Sequence, residues 1–138
     1  MKVLIDTNVL LDFLCKREPF VKEAENIFLM GMKQRVQIYI CGLSFINAIY
    51  TTHKYGIPQS ACVSSLKGLL TFCDVADINR KIISDTLDSG WKDIEDALQY
   101  KSGVSSGIDC IVTRDKKGFV DADIPVYSPA NLIELVNG

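Results

Sequence analysis

Three carboxylates stand where this chain can most easily build chemistry. Asp6 closes the apolar run Val3-Leu-Ile5 and is followed by the small polar pair Thr7 and Asn8. Asp115 closes a second run, Cys110-Ile-Val-Thr-Arg114, and Asp96 lies near the head of a helical pattern that begins at Trp91. In a parallel α/β sheet, ligand chemistry collects at the carboxyl ends of the strands. If Asp6, Asp96 and Asp115 meet there, they cannot all stay ionised without a compensating cation. A water-bearing pocket of aspartates suits Mg²⁺ or Mn²⁺, which take oxygen ligands and keep several waters. Such an ion activates water and stabilises charge developing on a phosphoryl group. Spacing in the chain fixes no distance between the three.

Those residues need a scaffold, and the hydrophobic pattern supplies one. Lys2 to Asp6 reads as a buried first strand, because a continuous apolar run is the pattern of a strand covered on both faces. Thr7 or Asn8 then caps a helix. Pro19 opens a second helix, in which Phe20, Ala24, Ile27 and Phe28 fall at helical spacing and Gly31 marks the end. After a strand at Val36 to Cys41, Ser44 takes the N-cap of a helix reaching Gly56 with Phe45, Ala48 and Ile49 inward. A helix from Pro58 to Leu70, a strand from Phe72 to Val75 and a helix from Asn79 to Leu87 follow, the last with Ile82, Ile83 and Leu87 inward. Asp93 reads as the N-cap of a helix that follows Gly90 and runs to about Ser102. Cys110 to Val112 is the next strand, Val126 marks a short one, and Ser128-Pro129 caps a final helix. Alternating strands and helices imply a three-layer α/β/α sandwich with a central, mostly parallel sheet. With strands one and four as neighbours, Asp6 and Asp115 would lie side by side.

Composition sets the outer bounds. The chain has 138 residues, 48% of them hydrophobic, enough for one domain spanning 1–138 with a real core. A net charge of -2 excludes binding of nucleic acid by bulk positive field, while Arg114, Lys116 and Lys117 could still form a local basic rim beside Asp115. Five cysteines, at 15, 41, 62, 73 and 110, are odd in number, scattered and without a Cys-x-x-Cys pair, so they read as small buried hydrophobes in a reducing compartment. With one histidine, His53, which reads as a surface or capping residue, a structural zinc site is excluded. Asp6 and Asp12 break the N-terminal apolar run, which makes it a poor signal sequence, and no run spans a membrane. The expectation is a soluble, cytoplasmic protein.

In this order and over nearly all of the chain, Asp6-Thr-Asn8, Glu95-Asp-Ala-Leu-Gln99 and Thr113-Arg-Asp115 resemble the PIN-domain family of small nucleases, which includes VapC-like toxins of toxin–antitoxin pairs. The resemblance implies a ribonuclease dependent on Mg²⁺ or Mn²⁺, with Asp6, Asp96 and Asp115 as metal-binding and catalytic carboxylates. It places Thr7, Asn8 and Thr113 to hydrogen-bond those groups or their waters. An RNA substrate, a cognate antitoxin protein and a homodimer come with the same resemblance. Two positions depart from the family pattern. Asn47 stands three residues after Ser44, where the family carries Glu or Asp, and offers only a neutral oxygen or a buried amide. Gly118 stands three residues after Asp115, where a further aspartate is often found. About three carboxylates remain instead of four or five.

Rival readings follow from the same residues. Asp6-Thr-Asn8 also suits a helix-capping turn. Loss of the acidic group at Asn47 suits a PIN-like RNA- or protein-binding module with weakened or absent catalysis. Another phosphate-handling α/β hydrolase is disfavoured: no second aspartate follows Asp6 by two residues, and there is no Gly-x-x-x-x-Gly-Lys loop.

Overall fold

The computed structural model describes all 138 residues. Five strands, β1 (Lys2–Ile5), β2 (Gln37–Cys41), β3 (Asp74–Ala76), β4 (Cys110–Val112) and β5 (Val126–Tyr127), form one sheet in the order β3-β2-β1-β4-β5. Every pairing is parallel. The chain builds outward from β1 to β3, then returns to the other side of β1 for β4. That reversal puts the topological switch point between β1 and β4, where a crevice opens beyond the strand ends. Ile5 pairs with Val112, and the Asp6 backbone N–H still donates to the Val112 carbonyl at 3.0 Å. Asp6 and Thr113 therefore leave the sheet side by side.

Seven helices cover the sheet: α1 (Thr7–Leu14), α2 (Val21–Met32), α3 (Gly42–Lys54), α4 (Gln59–Leu69), α5 (Arg80–Leu87), α6 (Ile94–Ser105) and α7 (Pro129–Asn137). Strand alternation sorts the core into two layers. Val3, Ile5, Ile38, Ile40, Cys110 and Val112 pack with residues of α1 to α4 and α7. Leu4 and Ile111 point the other way, into a smaller cluster with Tyr100, Ile108 and Phe119. At 0% exposure on both faces of β1, the continuous apolar run is explained. Cys41, Cys62, Cys73 and Cys110 are buried, Cys15 is half-buried, and all are free thiols. Burial pushes the Cys73 thiol up to about 12 and Cys110 up to about 11, so neither is a nucleophile at neutral pH.

Several local expectations change. Asp6, not Thr7 or Asn8, takes the N-cap position of α1, and its side chain makes no capping bond. Cys41 has extended backbone and α3 starts at Gly42, so Ser44 sits inside the first turn, fully buried. Gly31 lies within α2 because a Cβ there would meet Ile38 Cδ1 at 2.5 Å; its absence lets the helix lie close on β2. Only Ile82 and Thr86 of α5 are buried, leaving Ile83 and Leu87 48% and 70% exposed. Strand β3 runs Asp74–Ala76, later than Phe72 to Val75, because Tyr39 registers with Asp74. Asp93 caps α6 as expected, accepting from the N–H groups of Glu95 and Asp96 at 3.0 and 3.1 Å. Ser128 likewise accepts from Asn131 N–H at the start of α7, with Pro129 in its first turn.

Candidate active site

At the switch point a cavity of about 330 Å³ is lined by Asp6, Thr7 and Asn8 from the β1–α1 corner, Arg17 after α1, Asp93 at the cap of α6 with Asp96 and Gln99 within it, and Arg114 and Asp115 after β4. The structure thus brings Asp6, Asp96 and Asp115 to one cavity. Asp6 is 5% exposed and both its oxygens are held: Thr113 Oγ1 donates to Oδ2 at 2.6 Å and Gln99 Nε2 to Oδ1 at 2.9 Å. Thr113 Oγ1 also accepts from Asp115 N–H at 2.9 Å, tying the loop after β4 to the carboxylate after β1.

Gln99 is a site residue that motif reading did not single out. Its Nε2 reaches Asp96 Oδ1 at 3.4 Å as well as Asp6, and its Oε1 accepts the Thr7 backbone N–H at 3.1 Å. The available signal was its spacing, three residues after Asp96 and so on the same helical face. Thr7 Oγ1 shares a 2.6 Å hydrogen bond with Ser44 Oγ, which ties α3 to the site. Asn47, one turn further along α3, is half-buried and does not line the cavity.

Burial and crowding dominate the electrostatics. Asp6 is raised above the ordinary carboxylate range, chiefly by burial, against the lowering effect of its Thr113 and Gln99 hydrogen bonds. Asp96 is pushed up to about 7, first by burial and then by Asp6, Asp93, Asp115 and Glu95. A carboxyl whose folded pKa exceeds its unfolded value stabilises the fold in its protonated form. Its contribution is complete below about pH 4 and is lost as pH rises through about 7. Metal-free protein is therefore expected to lose melting temperature between those limits. Asp96→Asn should flatten that slope, as thermal melts in EDTA across the range would show; an identical slope in the variant would refute the crowding account.

No three His, Cys, Asp or Glu side chains form a preformed metal cage. Mg²⁺ and Mn²⁺ do not require one, since they bind through one or two carboxylates and retain waters. The lining fits such an ion: its two cations, Arg17 and Arg114, are paired with Asp12, its carboxyl groups offer oxygens, and Asn8 buries its side-chain Oδ1 with no hydrogen-bond partner. At Gly118, where a fourth carboxylate is missing, a Cβ would run into the Asp96 carboxylate. Gly118→Ala is expected to turn Asp96 aside with little loss of melting temperature but a clear drop in Mn²⁺ affinity by calorimetry. Unchanged affinity would remove Asp96 from the ion's surroundings.

Of the basic residues expected at the rim, Arg114 does line the cavity, but its guanidinium is paired with Asp12 at 2.6 and 3.1 Å and lies 3.8 Å over the Phe20 ring. Lys117 lines an adjoining cleft, Lys116 is exposed, and His53 is on the surface.

Residues 2–117 match the family model described as PIN domain, and the chain belongs to the PIN-domain family, whose members are generally nucleases. Among solved structures, it is similar to a toxin–antitoxin complex from Klebsiella pneumoniae, with a TM-score of 0.66 and 21% identity, over 92% of this chain and 97% of that one. It is also similar to VapBC2 from Rickettsia felis bound to a promoter DNA fragment, with a TM-score of 0.64 and 15% identity over 93% and 98% of the two chains. FitAcB from Neisseria gonorrhoeae gives a TM-score of 0.63 at 15% identity, over 93% and 98%. These likenesses show the α/β/α fold. Compared with curated proteins, the chain matches none.

Proposed function

We propose that this chain, as one domain over 1–138, is a divalent-metal-dependent ribonuclease and the toxin of a toxin–antitoxin pair. The observation that carries the reading is the cavity at the β1/β4 switch point, where Asp6, Asp96 and Asp115 line one wall of a PIN fold. A bound Mg²⁺ or Mn²⁺, held by Asp6, Asp96 and Asp115 directly or through retained waters with Asn8 beside them, would lower the pKa of water and neutralise charge on the scissile phosphate. The chain's own part is to hold those oxygens in place. Gln99 links Asp6 to Asp96, and Thr113 links Asp6 to the Asp115 loop. Thr7 and Ser44 brace the wall from α1 and α3.

The similarity to toxin–antitoxin complexes supports a cognate antitoxin as partner. An apolar groove of about 520 Å³ lined by Phe13, Phe28 and Phe72, with Leu29 and Met32 left 45% and 60% exposed, supports burial of that face by a partner or a second copy. No helix is long and apolar enough to cross a membrane, which fits the proposed cytoplasmic setting.

The test is cleavage of mixed-sequence RNA in Mn²⁺ against an EDTA control. Cleavage confined to the metal sample supports the nuclease. Asn47 and the lack of a preformed cage favour one alternative, a PIN-like module that binds RNA or protein without cutting. RNA retained in both conditions, uncut, would establish that alternative and end the nuclease reading.

A further inference from the structure

A second cleft, of about 520 Å³, opens on the far side of the acidic wall. It shares Asp93, Asp96 and Asp115 with the site cavity, so the two are continuous across those carboxylates. Its other walls include Trp91, Lys92, Lys117 and Val120. The volume falls within the range of about 300–1,000 Å³ typical of small-ligand sites.

Trp91 is the chain's one tryptophan. It stacks on Tyr100 with ring centroids 5.0 Å apart at 24° and meets Phe119 edge-on at 6.1 Å. Its backbone N–H donates to Ser89 Oγ at 3.2 Å, after a turn at Gly90 with φ +70°. The indole is thus pinned from beneath, yet it remains only half-buried and faces the cleft with the part its neighbours leave uncovered. A rigid, partly exposed aromatic plate beside a phosphoryl-transfer centre is the arrangement on which nucleobases stack. Lys92 and Lys117 are exposed, and none of the chain's ion pairs uses either. The cleft also contains Asp93, Asp96, Asp115 and Asp121, so it repels a free phosphate. An uncharged base carries no such penalty, and two lysines can take the flanking phosphates.

We propose that this cleft is a nucleotide subsite for single-stranded RNA, with one base stacked on Trp91 and the neighbouring phosphates drawn to Lys92 and Lys117. The proposal rests on the ribonuclease reading and names how that site holds its substrate. A strand seated this way places the adjoining phosphodiester towards Asp96 and Asp115, where a bound divalent ion would offset their charge.

The lone tryptophan gives a direct readout in the wild type. Fluorescein-labelled, mixed-sequence single-stranded RNA is titrated in EDTA at low salt, following label anisotropy and Trp91 emission together. The expected result is a saturable change in emission with the same midpoint as the anisotropy, and no change with inorganic phosphate. Trp91→Leu should weaken binding about tenfold, the order of one base–aromatic stack. Lys92→Ala with Lys117→Ala should weaken it and make it less salt-dependent. Far-UV circular dichroism establishes that each variant is folded, and the wild-type emission needs no variant. Anisotropy that rises while Trp91 emission stays still overturns the subsite and leaves the ribonuclease reading standing. If neither signal moves, the subsite falls, and the ribonuclease reading is decided by the Mn²⁺ cleavage assay. A phosphate response equal to that of RNA overturns the stacking role.

Discussion

Asp6→Asn is expected to abolish metal-dependent cleavage and to lower Mn²⁺ affinity by roughly a hundredfold or more, exceeding the ~10–100-fold typical of losing an outer partner. The fold should survive. An amide fills the same volume, can accept from Gln99 Nε2 through its oxygen, and can donate to Thr113 Oγ1. Burial is the main cause of the raised Asp6 pKa, so removing the charge also removes a desolvation cost. Melting temperature should therefore hold within a few degrees or rise. Parallel calorimetry, RNA cleavage and thermal melts separate these effects. Wild-type cleavage by the folded variant would refute the site assignment. Gln99→Ala should give a milder loss, because it frees Asp6 and Asp96 from each other while leaving both carboxylates in the cavity.

The contrast between Asp6 and Gln99 shows which parts of the site were legible in the sequence. Asp6 and Asp115 announce themselves because a buried parallel strand needs an unbroken apolar run, and a charge at its end interrupts the pattern. Asp96 is visible as an acidic residue at the head of a helix. Gln99, by contrast, matters only through what it touches: its partner Asp6 lies 93 positions away. Helix starts failed for a related reason. Ser44 has the chemistry of a cap, yet β2 passes into α3 without a turn, and the serine hydroxyl is taken by Thr7. On α5, Ile82, Ile83 and Leu87 form an apolar set that periodicity alone would bury. The structure seats one narrow stripe, Ile82 and Thr86, and Thr86 Oγ1 bonds back to the Ile82 carbonyl at 2.7 Å. Element order and parallel topology were readable because they depend on runs of many residues. Those finer choices depend on single contacts between distant segments.

Asp12 is the strongest example of such a contact, and removing its partners should have the largest effect on stability. It is 1% exposed on α1, and two arginines converge on it: Arg17 Nε at 2.8 Å and Arg114 Nε at 2.6 Å. The sequence places Arg114 102 positions away, so Asp12 reads there as no more than an interruption of an apolar face. The two sides of this cluster are not equivalent. Arg17 and Arg114 keep 22% and 28% of their side chains exposed, so without Asp12 they can turn to water. Asp12 cannot. Asp12→Ala is therefore expected to cost about 1–3 kcal/mol, from lost charge-assisted hydrogen bonds. The double variant Arg17→Ala, Arg114→Ala strands a buried carboxylate and should cost about 3–5 kcal/mol. Urea unfolding of the three proteins measures the order directly, and a double variant no worse than Asp12→Ala would overturn it. The same cluster reaches the site: Arg17 Nη2 donates to the Asn8 carbonyl at 2.8 Å, and Arg114 immediately precedes Asp115. Loosening it should weaken Mn²⁺ binding even under conditions where the variants remain folded, because both flanks of the acidic wall are anchored through Asp12.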